Sequence, residues 1–285
     1  MLVEGYTRGI PTPTGCDVHP RLETLLSHTT DAIFARLPAA RPTPAQLAGA
    51  RVVAHRGERD DVRIQENTFA AFDPVVAAGV AAIELDIRYT ADDEPVVIHD
   101  TDLQRVFGLA DVVATTPWQT LKRRAPALPH LADLIARYAG QAQLMIELKT
   151  RGSARGEQRM IDLLGPLTPV DDFHLLSLDT ALFDAVVDID AACYLPVAKT
   201  NLAALQRWAL AHPCAGLAGP YALMRARHIS DLHECRRFVG SGFVSSSDVL
   251  WREIGRGVEW IFTNTPLRLQ AALDQARANA PATTD

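Results

Sequence analysis

Two hydrophobic rhythms alternate along the chain. From Arg51 onward, short apolar runs rich in β-branched residues are separated by Ala- and Leu-rich stretches whose apolar positions recur every three or four residues. The first rhythm is that of buried strands and the second that of amphipathic helices. Strands are predicted at Arg51–Ala54, Ala82–Ile87, Val96–Ile98, Leu144–Leu148, His174–Leu178, Cys193–Val197, Cys214–Ala218, Phe238–Phe243 and Trp260–Thr263. Helical spacing marks Thr68–Ala78, Leu131–Tyr138, Glu157–Leu164, Thr180–Val187, Leu202–His212 and Val249–Arg256. The turn cluster Thr90–Pro95 joins two of the strands and is too short to hold a crossover helix, so those two form a hairpin. Counting the hairpin as one unit leaves eight βα units between residues 51 and 266, at about 27 residues each.

That count predicts an α/β fold of the (β/α)8 TIM-barrel type, with a short insert after the second strand unit. An open doubly wound sheet is the competing architecture. It would normally carry a Gly-rich phosphate loop after its first strand, and neither GxGxxG nor GxxxxGK[ST] stands there. The first fifty residues read differently. Pro11, Pro13, Pro38, Pro42 and Pro44 punctuate them, and only Arg21–Leu37 has helical spacing, through Leu22, Leu25, Leu26, Ile33 and Leu37. The expected organisation is an N-terminal helical extension over 1–50, a barrel domain over 51–279 and a disordered tail over 280–285.

Composition narrows the function classes. Of 285 residues, 48% are hydrophobic and 22% charged, the range of an ordinary globular protein. Lys and Arg number 28 against 34 Asp and Glu, so no basic excess is available for a nucleic-acid backbone. The longest apolar run, Val75–Ile83, is less than half a bilayer span, which predicts no transmembrane segment. The start carries Glu4 and no sustained apolar region, unlike a secretory signal. Cys16, Cys193, Cys214 and Cys235 have no CxxC spacing and read as reduced thiols, so a cytoplasmic location is expected.

The chemistry is suggested by ionisable residues at strand ends. His55 and Arg56 follow Val52-Val53-Ala54, and His99 and Asp100 follow Val96-Val97-Ile98. Glu84 and Asp86 stand two apart within one strand, as do Glu147 and Lys149 at the end of another. Residues two apart in a strand share a face, so each pair projects together into the barrel mouth if Ile83, Leu85 and Ile87 face the helices. Three inward carboxylates suit a hard divalent cation, Mg2+ or Ca2+. Singly, each feature has a plainer reading: a Glu-x-Asp pair is more often a solvated strand face, a lone histidine a structural one, and Arg56 a surface ion-pair partner. Four consecutive strand ends of this kind converge on one face of a barrel. Together they suit metal-assisted displacement at phosphorus. Two histidines divide general-base and general-acid work, while Arg56, Lys149 and the cation neutralise the transition state.

The same residues resemble the glycerophosphodiester phosphodiesterase family. The matching text is Ala54-His55-Arg56-Gly57, Glu66-Asn67-Thr68, Glu84-Leu85-Asp86 through Asp92, Pro95 through His99-Asp100, Leu128-Pro129-His130-Leu131 and Ile146-Glu147-Leu148-Lys149, with a weaker match over Gly257–Pro266. The resemblance implies a phosphatidylinositol phospholipase C-like TIM barrel that uses one divalent cation to hydrolyse glycerophosphodiesters to glycerol 3-phosphate and an alcohol. It implies that His55 and His99 are the acid–base pair, with Glu84, Asp86 and Glu147 as metal ligands. It makes Arg56 and Lys149 phosphate contacts and puts Glu66 in the site, although Glu66-Asn67-Thr68 also reads as a helix cap.

The chain departs from the family pattern in three places. The insert, Thr101–Leu128, is short; Asn264 stands where the family often has Asp; and Gly240–Ser245 replaces an aromatic segment. Three alternatives accompany this reading. One is a lysophospholipid or sphingomyelinase D-like headgroup-releasing enzyme, for which Val106, Phe107 and Leu109 would supply an apolar mouth. Another is a non-catalytic phosphodiester-binding barrel, which would need no acid–base pair. A metal-dependent enolising or aldol barrel would use inward carboxylates but does not explain His-Arg-Gly.

Overall fold

The computed structural model describes residues 40–280 together with Phe34 and Arg36. Apart from Phe34 and Arg36, the helix expected at Arg21–Leu37 therefore lies outside the described residues, as do Cys16 and the tail from residue 281.

The strands are β1 (Arg51–His55), β2 (Ala82–Tyr89), β3 (Pro95–Val97), β4 (Gln143–Leu148), β5 (Phe173–Ser177), β6 (Tyr194–Pro196), β7 (Gly216–Pro220), β8 (Phe238–Gly242) and β9 (Trp260–Thr263). All but β3 are hydrogen-bonded in the order β6-β5-β4-β2-β1-β9-β8-β7, and β3 pairs antiparallel with β2 as the predicted hairpin. The ring closes between its two ends through a parallel bridge from Val197 to Ala218, where the Ala198 N–H donates to the Ala218 carbonyl at 2.7 Å. The fold is a (β/α)8 TIM barrel, and the open-sheet alternative is excluded.

Alternation along each strand sorts two cores. Outward residues such as Val52, Ala54, Ile83, Leu85, Ile87, Leu144 and Ile146 pack under the surrounding helices. Inward residues Val53, Ala82, Met145, Leu176, Leu195, Ala218, Trp260 and Phe262 fill the barrel below the mouth. Large aromatics from β9 fit because β8 gives them room. A Cβ at Gly240 would lie 2.9 Å from a Phe262 ring carbon. The same alternation puts Glu84, Asp86 and Glu147 inward one layer higher, as the period of two predicts.

The observed elements differ from the predicted ones in a few places, and at two of them composition explains the difference. Thr180–Val186 is a 3-10 rather than an α-helix. Helix Ala226–Glu234 has no predicted counterpart; its buried face contains His228 beside only two aliphatic residues, Ile229 and Leu232, so the apolar period is weak. Strand β7 is Gly216–Pro220 rather than Cys214–Ala218, its two glycines and terminal proline being poor strand signals. The helices Trp118–Arg124 and Pro266–Asn279 are likewise additions. At the barrel floor, helix Pro44–Gly49 is held by Arg277, whose guanidinium donates to the carbonyls of Leu47 (3.0 Å) and Ala50 (2.6 Å).

One buried inward residue makes the fold acid-sensitive. His174 lies against Trp260, its Nδ1 has no hydrogen-bond partner among the described residues, and burial together with Arg51 lowers its pKa to about 4. Between pH 6.5 and 4 the unfolded chain binds a proton that the fold refuses, so stability falls as pH drops through that window, by about 3 kcal/mol in all. Urea midpoints at pH 7 and 4.5 should therefore differ more in the native protein than in a His174→Leu variant. An equal drop in both would show that His174 is not the cause.

Candidate active site

The mouth of the barrel is assembled by strand register. Parallel pairing sets His55 beside Glu84 and Asp86 beside Glu147. The three acids are buried, Asp86 completely, and one carboxylate oxygen from each lies within 4.8 Å of the others. Burial, with Asp86 and Glu147 alongside, pushes the Glu84 carboxyl well above the ordinary carboxylate range. Burial also opposes ionisation of Asp86, but Arg56 and Lys149 outweigh it and hold that carboxyl far below its usual value. Among the described residues Asp86 Oδ1 accepts no hydrogen bond, and Lys149 Nζ is 3.4 Å away as an ion-pair neighbour. An all-oxygen donor set of converging, mutually repelling carboxylates fits a hard divalent cation.

The loop after β1 explains why His-Arg-Gly is one motif. Arg56 adopts φ 59° and Gly57 φ 85°, both left-handed. The turn aims the Arg56 backbone N–H at the Glu84 side chain (3.2 Å) and sends its guanidinium back over the mouth. There Arg56 Nε sits 3.0 Å from Asp86, and Nη1 donates to Glu66 at 3.0 Å. A Cβ at Gly57 would meet the Ala71 carbonyl oxygen at 2.6 Å, so only glycine lets this loop lie on the next helix.

In Glu66-Asn67-Thr68 the helix-cap and site readings are divided among three residues. Thr68 caps helix Phe69–Ala77 through its side chain. Asn67, at φ 56°, donates from Nδ2 to Asp86 Oδ2 at 2.8 Å, and Glu66 takes the arginine. Lys149 Nζ bonds Glu147 at 2.7 Å; despite burial, Glu147 and Asp86 raise its pKa, so it stays charged.

The two histidines are oriented differently. His55 Nδ1 is 2.7 Å from Asn264 Oδ1, its Nε2 is 3.8 Å from Glu84 Oε2, and Phe243 lies on its ring at a centroid distance of 4.2 Å. Burial first, then Arg56 and Arg59, keep its pKa well below the ordinary histidine value. His99 Nδ1 is 2.8 Å from Asp100 Oδ1. In both rings the Nδ1 contact leaves Nε2 for other partners.

All eight residues expected from the sequence, His55, Arg56, Glu66, Glu84, Asp86, His99, Glu147 and Lys149, come together at this mouth. The structure adds Asn67, Asp100, Arg105, Phe243 and Asn264. The Asn264 departure thus falls on the residue that orients His55, and the replaced β8 segment delivers Phe243, 40% exposed. Phe107 and Leu109 pack on the insert's own small core of Leu103, Val113, Trp118 and Leu121, among others.

Fold and site define a TIM barrel whose mouth combines a carboxylate triad, two oriented histidines and buried cationic side chains. A sequence profile of the glycerophosphoryl diester phosphodiesterase family matches residues 55–162, which hold all eight expected site residues. A glycerophosphodiester phosphodiesterase of Bacillus altitudinis is 28% identical over 114 residues, covering 36% of this chain and 46% of that relative. The chain spans about half or less of the length of the curated relatives it matches. Two solved structures share the fold at 20% identity, each over 79% of this chain. One is an Oleispira antarctica phosphodiesterase in complex with the product sn-glycerol-3-phosphate (TM-score 0.66, 96% of that chain covered), the other a Thermotoga maritima glycerophosphodiester phosphodiesterase (TM-score 0.67, 98% covered). Over residues 55–162 the chain is thus similar to the glycerophosphoryl diester phosphodiesterase family.

Proposed function

We propose that the protein is a metal-dependent phosphodiesterase that hydrolyses glycerophosphodiesters to glycerol 3-phosphate and an alcohol. The observation that carries this reading is the triad Glu84, Asp86 and Glu147, closed to within 4.8 Å beside two histidines whose Nδ1 atoms are already engaged. These carboxylates would hold one divalent cation, Mg2+ or Ca2+, which when bound supplies Lewis-acid charge to the phosphoryl oxygens. Arg56 and Lys149 add positive charge for the equatorial oxygens of the transition state, and Glu66 keeps the Arg56 guanidinium in place. One of His55 and His99 takes the proton of the attacking oxygen through Nε2; the other gives a proton to the leaving oxygen, so an alcohol departs neutral.

The substrate is taken to be a small phosphodiester and not a nucleic acid, consistent with the acidic charge balance. Phe243, exposed above His55, supports a second reading in which the leaving group carries an apolar chain, as in a lysophospholipid. Residues 51–279 are taken as the catalytic domain. Among the described residues Cys193, Cys214 and Cys235 are free thiols, which is compatible with the cytoplasmic location proposed here. Among the described residues no helix is long and apolar enough to cross a membrane.

Incubation with glycerophosphocholine and Mg2+ should release glycerol 3-phosphate, followed by coupled oxidation with glycerol-3-phosphate dehydrogenase. EDTA should abolish release, and added Mg2+ or Ca2+ should restore it. Undiminished release after exhaustive chelation would reject the metal-dependent route.

A further inference from the structure

The short insert after β3 places one guanidinium between two halves of the site. Arg105 lies in helix Gln104–Phe107, anchored next to Leu103, which is buried in the insert core. Its Nε donates to Asp100 Oδ2 at 2.7 Å and its Nη2 to Asp100 Oδ1 at 3.1 Å. The same guanidinium donates from Nη2 to Glu66 Oε1 at 2.6 Å and from Nη1 to Glu66 Oε2 at 3.2 Å. Asp100 Oδ1 is also the oxygen that meets His99 Nδ1, while Glu66 holds Arg56. An unbroken alternation of charge therefore runs from Asp86 through Arg56, Glu66, Arg105 and Asp100 to His99.

We propose that Arg105 is a positioning residue for His99, acting through Asp100, and that the insert serves to deliver it. For turnover this rests on the phosphodiesterase reading; for the orientation of His99 it rests on geometry alone. An exposed ion pair would contribute little. Here a planar fork grips two carboxylates at once, and Glu66, one of them, is only 3% exposed. A carboxylate held on both oxygens cannot rotate about its Cβ–Cγ bond, so the oxygen facing His99 Nδ1 stays aimed at it. The ring is then kept with the proton on Nδ1 and with Nε2 directed away from Asp100. If Arg105 is removed, Glu66 still has Arg56 and Arg59, whereas Asp100 loses both fork contacts. The effect should fall on His99 and not on Arg56 or the carboxylate triad.

The test compares Arg105→Met and Arg105→Lys with the native protein. Arg105→Met should lower kcat on glycerophosphocholine by about 10–100-fold while KM and Mg2+ affinity by calorimetry move less than about threefold, and Arg105→Lys should recover part of the loss. The 15N shifts of the His99 ring, assigned against His99→Ala, should move from a single Nδ1–H tautomer toward a mixture. In an Asp100→Asn background, adding Arg105→Met should cost less than about twofold more. The proposal is overturned by native His99 ring shifts in Arg105→Met, by a full additive loss in the double variant, or by loss of Mg2+ affinity in both Arg105 variants. If the native protein hydrolyses no phosphodiester, the functional reading has failed, and the ring shifts alone decide the role of Arg105.

Discussion

His99→Ala and His55→Ala should each lower turnover by about two to four orders of magnitude with folding intact, because each removes one terminus of the proton path between attacking and leaving oxygens. Neither loss should be a packing effect. His99 sits at the mouth with its side chain 24% exposed, so truncation there opens toward solvent; His55 is buried, but it lies at the mouth beneath the partly exposed Phe243 and not among the apolar side chains that fill the barrel. Thermal midpoints should therefore stay near the native value while kcat collapses. The supports differ in charge, a carboxylate behind His99 and an amide behind His55. A carboxylate stabilises an imidazolium and an amide does not, so Asn264→Leu should mainly disorder the His55 ring. Near-native hydrolysis in either alanine variant would remove that histidine from the acid–base pair.

Glu84→Gln should separate metal binding from folding by moving the two in opposite directions. In the native fold Glu84 is buried beside Asp86 and Glu147, which raises its pKa and makes its charge unfavourable at neutral pH. A neutral side chain of the same shape removes that repulsion, and its amide oxygen can still accept the Arg56 backbone N–H. The metal-free variant should then melt at or above the native temperature, while the increase in melting temperature on adding Mg2+ or Ca2+ disappears. Calorimetry should show a loss of affinity larger than the about 10–100-fold typical of outer-shell changes. Unchanged cation affinity would take Glu84 out of the ligand set.

The parts of the site legible in sequence were those set by strand period. Glu84 and Asp86 alternate with Ile83, Leu85 and Ile87, so a buried parallel strand has to turn both acids the same way, and register then sets Asp86 opposite Glu147. His55 and His99 were visible because each directly follows an apolar run at a strand's C-terminal end. Contacts made by folding across long separations had no local signal. Asn264 is 209 residues from the histidine it orients. Arg105 is 39 residues from Glu66 and sits in a four-residue helix with no periodicity. Phe243 follows a glycine-rich strand that does not resemble an aromatic wall. The fold followed the same logic: strands with strong apolar runs were visible, while helix Ala226–Glu234, with a histidine on its buried face, was not.

Hydrolysis of a small phosphodiester at this mouth is read out by 31P NMR. The protein is incubated with glycerophosphocholine, glycerophosphoethanolamine, glycerophosphoinositol and lysophosphatidylcholine, each with Mg2+ or Ca2+. Conversion of the diester resonance of at least one glycerophosphodiester into that of glycerol 3-phosphate, absent in His99→Ala and after EDTA, is the predicted result. Diester resonances that persist in all four incubations, with native folding and cation binding intact, would contradict it.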